Sequence, residues 1–88
     1  MVGWQVVFTR QAEKDAKKIS REGLRPKVEA LLEILHKNPY HKPPPFEKLM
    51  GDLQGAYSRR INLQHRLVYQ IIPEKKVVKI IRMWTHYE

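Results

Sequence analysis

The sequence predicts an α+β fold of order β-α-α-β-β-β, with two antiparallel helices packed on one face of a mainly antiparallel sheet. Three observations predict it. Five leucines and valines recur at three- and four-residue steps between Leu24 and Leu35, the mark of an amphipathic helix. From residue 56 onward, short β-branched and aromatic runs alternate with turn residues, as in a strand meander. The chain has only 88 residues, so it is expected to form one domain, residues 1–88, around one core.

Taken in order, Gly3 to Phe8 (GWQVVF) is the expected first strand. Thr9 caps a helix starting at Arg10, in which Ala12, Ala16 and Ile19 share a face and Glu13 and Lys17 can pair at i,i+4. Gly23 stops that helix. Leu24, Val28, Leu31, Leu32 and Leu35 form the stripe of the second, with Pro26 tolerated in its first turn and Asn38-Pro39 ending it. His41 to Pro45 (HKPPP) reads as an extended, polyproline-II connector that delivers Glu47 to the sheet. Asp52 to Gly55 marks a turn. Strands Ala56–Asn62, His65–Ile72 and Val77–Trp84 follow, separated by turns at Asn62–Gln64 and Pro73–Lys76.

Composition narrows the function classes. Seventeen Lys and Arg against nine acids give a net charge of +8, divided equally between residues 1–44 and 45–88. An excess spread over the fold suits a basic binding surface for nucleic acid or an acidic protein, and equally a solubilising surface. There is no cysteine, so disulfides and thiolate metal sites are excluded. The four histidines lack metal-ligand spacing, and no metal or cofactor is expected. No apolar run approaches the roughly 20 residues needed to cross a bilayer and no signal peptide is evident, so a soluble, cytoplasmic protein without membrane contact is expected.

Strand alternation sorts the polar residues of the meander. Tyr57, Arg59 and Ile61 point one way; Ser58, Arg60 and Asn62 point the other. Leu67, Tyr69 and Ile71 face the helices, which leaves Arg66, Val68 and Gln70 on the open face. Arg66 is thus expected on a rigid central strand with its guanidinium free for phosphate. His65 points to the opposite face and is expected to serve the fold.

The run from Glu47 to Tyr87 resembles the Txe/YoeB family of bacterial toxins, within the RelE/ParE superfamily. The matching residues are Glu47, Leu49, Leu53-Gln54-Gly55, Tyr57-Ser58-Arg59-Arg60-Ile61, His65-Arg66-Leu67-Val68-Tyr69 and His86-Tyr87. They cover about half the chain in order, and SRRI followed by HRLVY is a specific signal. The resemblance implies a RelE-like fold and the toxin of a type II toxin–antitoxin system. It implies a ribosome-dependent endoribonuclease (an mRNA interferase) that cleaves messenger RNA in the ribosomal A site, a YefM-like antitoxin as partner, and a homodimer. By position it makes Glu47 the general base, Arg66 the phosphate-binding arginine, His86 the general acid and Tyr87 a substrate-positioning residue. Arg59 and Arg60 match the family's paired arginines, one of them near the site. The family often has a lysine three residues after the glutamate; here that position is Met50, and the nearest lysine is Lys48. Glu88 follows the terminal tyrosine, an added carboxylate.

The residue chemistry agrees with this assignment. Metal-free cleavage of RNA needs a base for the 2′-OH, an acid for the departing 5′-oxygen and cations for the phosphate. Two other readings remain open: a non-catalytic ParE-like inhibitor of DNA gyrase, and a basic RNA- or ribosome-binding module without activity.

Overall fold

Two helices lie against one face of a five-stranded sheet in this computed structural model, which describes residues 3–43, 45–49 and 55–84, with the backbone alone for Trp84. The elements are β1 (Gln5–Phe8), α1 (Arg10–Arg21), α2 (Arg25–Lys37), β2 (Phe46–Lys48), β3 (Ala56–Arg60), β4 (Arg66–Ile72) and β5 (Val77–Trp84). Spatial order in the sheet is β1-β5-β4-β3-β2. The meander pairs antiparallel throughout, and β1 closes the other edge parallel to β5. The expected α+β architecture is therefore what the chain adopts.

Local chemistry accounts for the element boundaries. Thr9 accepts the Ala12 amide through its hydroxyl at 3.0 Å and donates the same hydroxyl to the Ile81 carbonyl at 2.9 Å. One side chain thereby caps α1 and ties its start to β5. Gly23, at φ 77°, makes the left-handed step that lets α2 double back. The Asn62 side chain accepts the amides of Gln64 and His65 at 2.9 and 2.7 Å. This turn takes Asn62 and His65 out of the ladder, so β3 and β4 are shorter than the sequence runs suggest.

Three expectations need correction. Phe46–Lys48 forms a strand, so the meander has four strands rather than three. The connector after α2 does not run extended: it turns at Pro39 and Tyr40, bends at Pro43, and its Lys42–Pro43 peptide is cis. Glu13 and Lys17 stand too far apart to form an ion pair, although α2 carries two such pairs, Arg25–Glu29 and Lys37–Glu33.

The main core lies between helices and sheet. Ala12, Ile19, Val28, Leu31 and Leu35 meet Ile61, Leu67, Tyr69, Val78, Ile80 and Met83 there, with Ile71 packed against them. Burial of such side chains, at about 25 cal/mol per Å², is the main source of stability. A second, smaller core lies on the face away from the helices, where Leu49, Ala56 and Val68 pack with Ile81. Val68, expected on an open surface, is fully buried. That far face is thus floored with apolar side chains beside its polar ones.

Asp15 fastens α1 to β5. It is buried, and its carboxylate accepts from Met83 N at 3.0 Å, Arg82 Nε at 2.9 Å and Gln11 Nε2 at 3.1 Å. Burial by itself raises the Asp15 carboxyl, but these donors outweigh it and leave its pKa below the ordinary value. A depressed carboxylate contributes stability above its unfolded pKa and loses that contribution as pH falls through the folded one. Acid unfolding should therefore draw partly on Asp15. Asp15→Ala is expected to cost roughly 1–3 kcal/mol at neutral pH by stranding the Met83 amide, and to flatten the acid limb below about pH 4. Urea titrations of both proteins from pH 3 to 7 check this; parallel pH profiles would exclude the role.

Candidate active site

The register of β2, β3 and β4 assembles the site. Glu47 stands opposite Ser58, and Arg60 stands directly opposite Arg66. Period-two alternation then puts Glu47, Ser58, Arg60 and Arg66 on one face of the sheet, the face away from the helices. Together with Pro45 they line a concavity of about 380 Å³.

Arg66 is the centre of this group. Its Nη2 donates to Glu47 Oε1 at 2.8 Å and its Nη1 to Ser58 Oγ at 3.2 Å. The Arg66 side chain is 18% exposed and that of Glu47 62% exposed. The guanidinium expected to be free is already engaged, a correction with a plain cause: an arginine this buried needs partners, and the adjacent strands supply them. Ser58 is fully buried beneath it. Sequence reasoning grouped Ser58 with Arg60 and Asn62 without giving it a role; the signal was a small polar residue two positions before Arg60 on the same strand.

Arg60 is exposed, and among the described residues it has no carboxylate within ion-pair distance. Two arginines directly opposite each other across an antiparallel pair repel, a placement that sheet stability alone disfavours. One carboxylate beside two guanidiniums leaves the described site with a net positive charge, which suits an anion. Lys48, one residue beyond Glu47 on β2, points by alternation to the other face.

Arg59 lies on the opposite side of β3 and is fully buried. Its Nε donates to Tyr69 Oη at 2.9 Å, and its Nη2 to the carbonyls of Pro39 and His41, each at 2.8 Å. Its guanidinium also lies 4.9 Å from the centre of the Phe46 ring, a cation–π contact. Burial pushes the Tyr69 phenol above its ordinary pKa, with Arg59 opposing part of that rise. The sequence counted both paired arginines as candidates for substrate binding and left open which one lies near the site; Arg59, buried on the other face, does not line this concavity. Of the arginine pair, Arg60 faces the site, while Arg59 ties the connector after α2 to the sheet and so sets where Phe46 and Glu47 enter it.

His65 behaves as expected. It is buried, with Nε2 3.2 Å from Glu22 Oε1 and Nδ1 3.1 Å from Asn62 Oδ1. His86 and Tyr87, the expected acid and positioning residue, lie outside the described residues, as do Met50 and Glu88.

A family model described as the YoeB-like toxin of bacterial type II toxin–antitoxin systems matches residues 7–87. The chain belongs to the YoeB-like toxin family. It is 33% identical over 85 residues to Toxin YoeB of Streptomyces coelicolor (strain ATCC BAA-471 / A3(2) / M145), a match spanning 97% of this chain and 90% of that protein. Among solved structures, the YoeB/ParE toxin from Agrobacterium tumefaciens superposes with a TM-score of 0.83 at 27% identity, covering 94% of this chain and 99% of that one. YoeB in the YoeB-YefM complex from Staphylococcus aureus superposes with a TM-score of 0.77 at 33% identity, covering 96% and 98%; the same S. aureus protein is also known as a YoeB dimer. This YoeB-like chain is thus a toxin of a type II toxin–antitoxin system, and its two-helix, five-strand fold is that of its relatives. Among its described residues no helix is long and apolar enough to cross a membrane.

Proposed function

We propose that this toxin is an endoribonuclease that cleaves messenger RNA on the ribosome through the site centred on Arg66. The observation that carries the reading is the Glu47–Arg66–Arg60 group: a carboxylate and two guanidiniums held by three adjacent strands on one face. In the reaction, Glu47 takes the 2′-OH proton and the 2′-oxygen attacks phosphorus. The bond from phosphorus to the 5′-oxygen then breaks, with His86 giving that oxygen a proton. The products are a 2′,3′-cyclic phosphate and a 5′-hydroxyl. Arg66 and Arg60 offset charge building on the phosphate oxygens, and Tyr87 positions the substrate.

In this reading the Glu47–Arg66 contact is the resting state. Glu47 is well exposed, so solvent screens its attraction to Arg66 and the contact is weaker than a fully buried pair. An incoming phosphate can displace it at little cost, taking the guanidinium and leaving the carboxylate beside the 2′-OH. The cognate partner is a YefM-like antitoxin, in line with the S. aureus relative solved with YefM. The same reading takes residues 1–88 as one toxin domain acting in the cytoplasm, and as a homodimer when unbound, as in the S. aureus YoeB dimer.

Arg66→Lys is the deciding variant. Lysine keeps the charge but offers a point donor where arginine offers a planar fork. Single-turnover cleavage on programmed ribosomes is expected to fall by roughly 10- to 1000-fold, with ribosome binding retained. Cleavage at the parent rate would remove Arg66 from the chemistry. Inhibition of gyrase supercoiling by a parent protein that cleaves no message would favour the ParE-like reading instead.

A further inference from the structure

The outer surface of α1 carries a second concentration of charge, on the side of the molecule opposite the site. Arg10, Lys14, Lys17, Lys18 and Arg21 are all exposed. At 3.6 residues per turn these positions fall within an arc of roughly 100°, along a line of about 16 Å. The side of α1 that faces the core holds Ala12, Asp15 and Ile19, so the cations form the outermost ridge of the helix.

Two contrasts argue that this ridge is more than a solvated surface. On α2 two of the three exposed Lys and Arg, Arg25 and Lys37, are paired with Glu29 and Glu33 at i,i+4 spacing, and only Lys27 is not. Among the described residues, none of the five α1 cations has a carboxylate within 4.0 Å, including Glu13 one turn from Lys17. The ridge also contains three like-charge pairs at i,i+4 (Arg10/Lys14, Lys14/Lys18 and Lys17/Arg21), each of which disfavours the helix. Solubility is equally served by mixed signs.

The ridge also lacks large apolar side chains. A protein partner needs buried aromatic or aliphatic anchors, and lysine is depleted from such interfaces. A phosphate backbone asks only for cations, because its affinity comes from counterion release. We infer that the α1 ridge binds the phosphate backbone of double-helical RNA, as a surface separate from the Arg66 site. The sheet and the body of α1 stand between the two, so a strand threaded past Arg66 cannot also lie on the ridge. The choice of RNA rests on the reading of the Arg66 face as an RNA-cleaving site; the ridge itself does not.

The test compares three proteins for binding to a 20-base-pair RNA duplex across a salt series. They are the parent, a ridge variant (Lys14, Lys17, Lys18 and Arg21 to Gln) and a control variant (Lys27, Lys42, Lys75 and Lys79 to Gln). Glutamine keeps helix propensity close to that of lysine and arginine, and far-ultraviolet circular dichroism verifies the fold of each. Both variants lose four charges. The ridge variant is expected to bind at least about tenfold more weakly at low salt, and its salt slope to fall by about 3 to 4 for four lost phosphate contacts. The control should stay close to the parent. Equal losses in both variants would reduce the effect to net charge and overturn the ridge, as would an unchanged ridge variant or a parent that does not bind duplex. Loss of antitoxin binding by the ridge variant, with duplex binding intact, would assign the ridge to a protein and also overturn the proposal. Cleavage on programmed ribosomes is measured separately: a parent that binds duplex through the ridge but cleaves no message sinks the nuclease reading alone.

Discussion

Glu47→Gln is expected to keep the fold and ribosome binding and to slow message cleavage by about 10²- to 10⁴-fold, the usual worth of a positioned base. Glutamine preserves shape and can still accept from Arg66 Nη2, now 2.8 Å from Glu47 Oε1, so β2 should remain docked. Only the capacity to take a proton is lost. Single-turnover rates on programmed ribosomes, measured beside thermal unfolding, separate the two effects. Parent-like cleavage would show that another group takes the 2′-OH proton. A rate loss matched by a large fall in melting temperature would make Glu47 a structural partner of Arg66.

Arg59→Met should have the largest effect on stability. Methionine fills much of the same space, but it leaves the Pro39 and His41 carbonyls and the Tyr69 hydroxyl without the donor they now have. Leaving buried acceptors without a donor in this way costs roughly 1–3 kcal/mol for each one. At roughly 0.05–0.15 kcal/mol per residue, a domain of this length has only about 4–13 kcal/mol in total. The variant is expected to unfold at much lower urea, while Arg60→Met, at an exposed position one residue on, should barely move the midpoint. Equal midpoints for the two variants would refute the division of labour between the neighbouring arginines.

That division could be traced in the sequence only in part. Alternation put Arg60 on one side of β3 and left open which side held the site; Arg59 went with Tyr57 and Ile61 on the other. Nothing local showed that the carbonyls of Pro39 and His41 would arrive there, because that depends on how a proline-rich connector folds back. The helices were easier. Their leucine spacing, Thr9 and Gly23 are local signals, and each forms the feature expected of it.

Strand β2 was hidden for a different reason: three residues are too few to show a period, and its pairing is supplied wholly by β3. Val68 was assigned to solvent because alternation gives the face of a residue and not what covers it; Leu49 and Ile81 do that. Asp15 carried a visible sign, an acid on the Ala12–Ile19 face of α1, but its partners Arg82 and Met83 lie on β5, 67 and 68 positions away. At the site, pattern and resemblance together named Glu47 and Arg66 but offered Arg59 and Arg60 without choosing between them. The closed Arg66–Glu47 contact is a fact of register between strands, and no single run of sequence contains it.

The parallel pairing of β1 with β5 has a temporal consequence. Thr9 holds Ile81 across 72 positions, and β5 lies between β1 and β4 in the sheet. Chains emerge from synthesis N-terminus first, so β1 and both helices are made before the strand that gives them a surface to pack on. Their apolar stripes wait, and closing so long a loop carries an entropic cost before any long-range contact repays it. Neither the Arg66 site nor the core beneath it can be completed early. A nascent chain of this topology cannot close its core until almost all of β5 has been made.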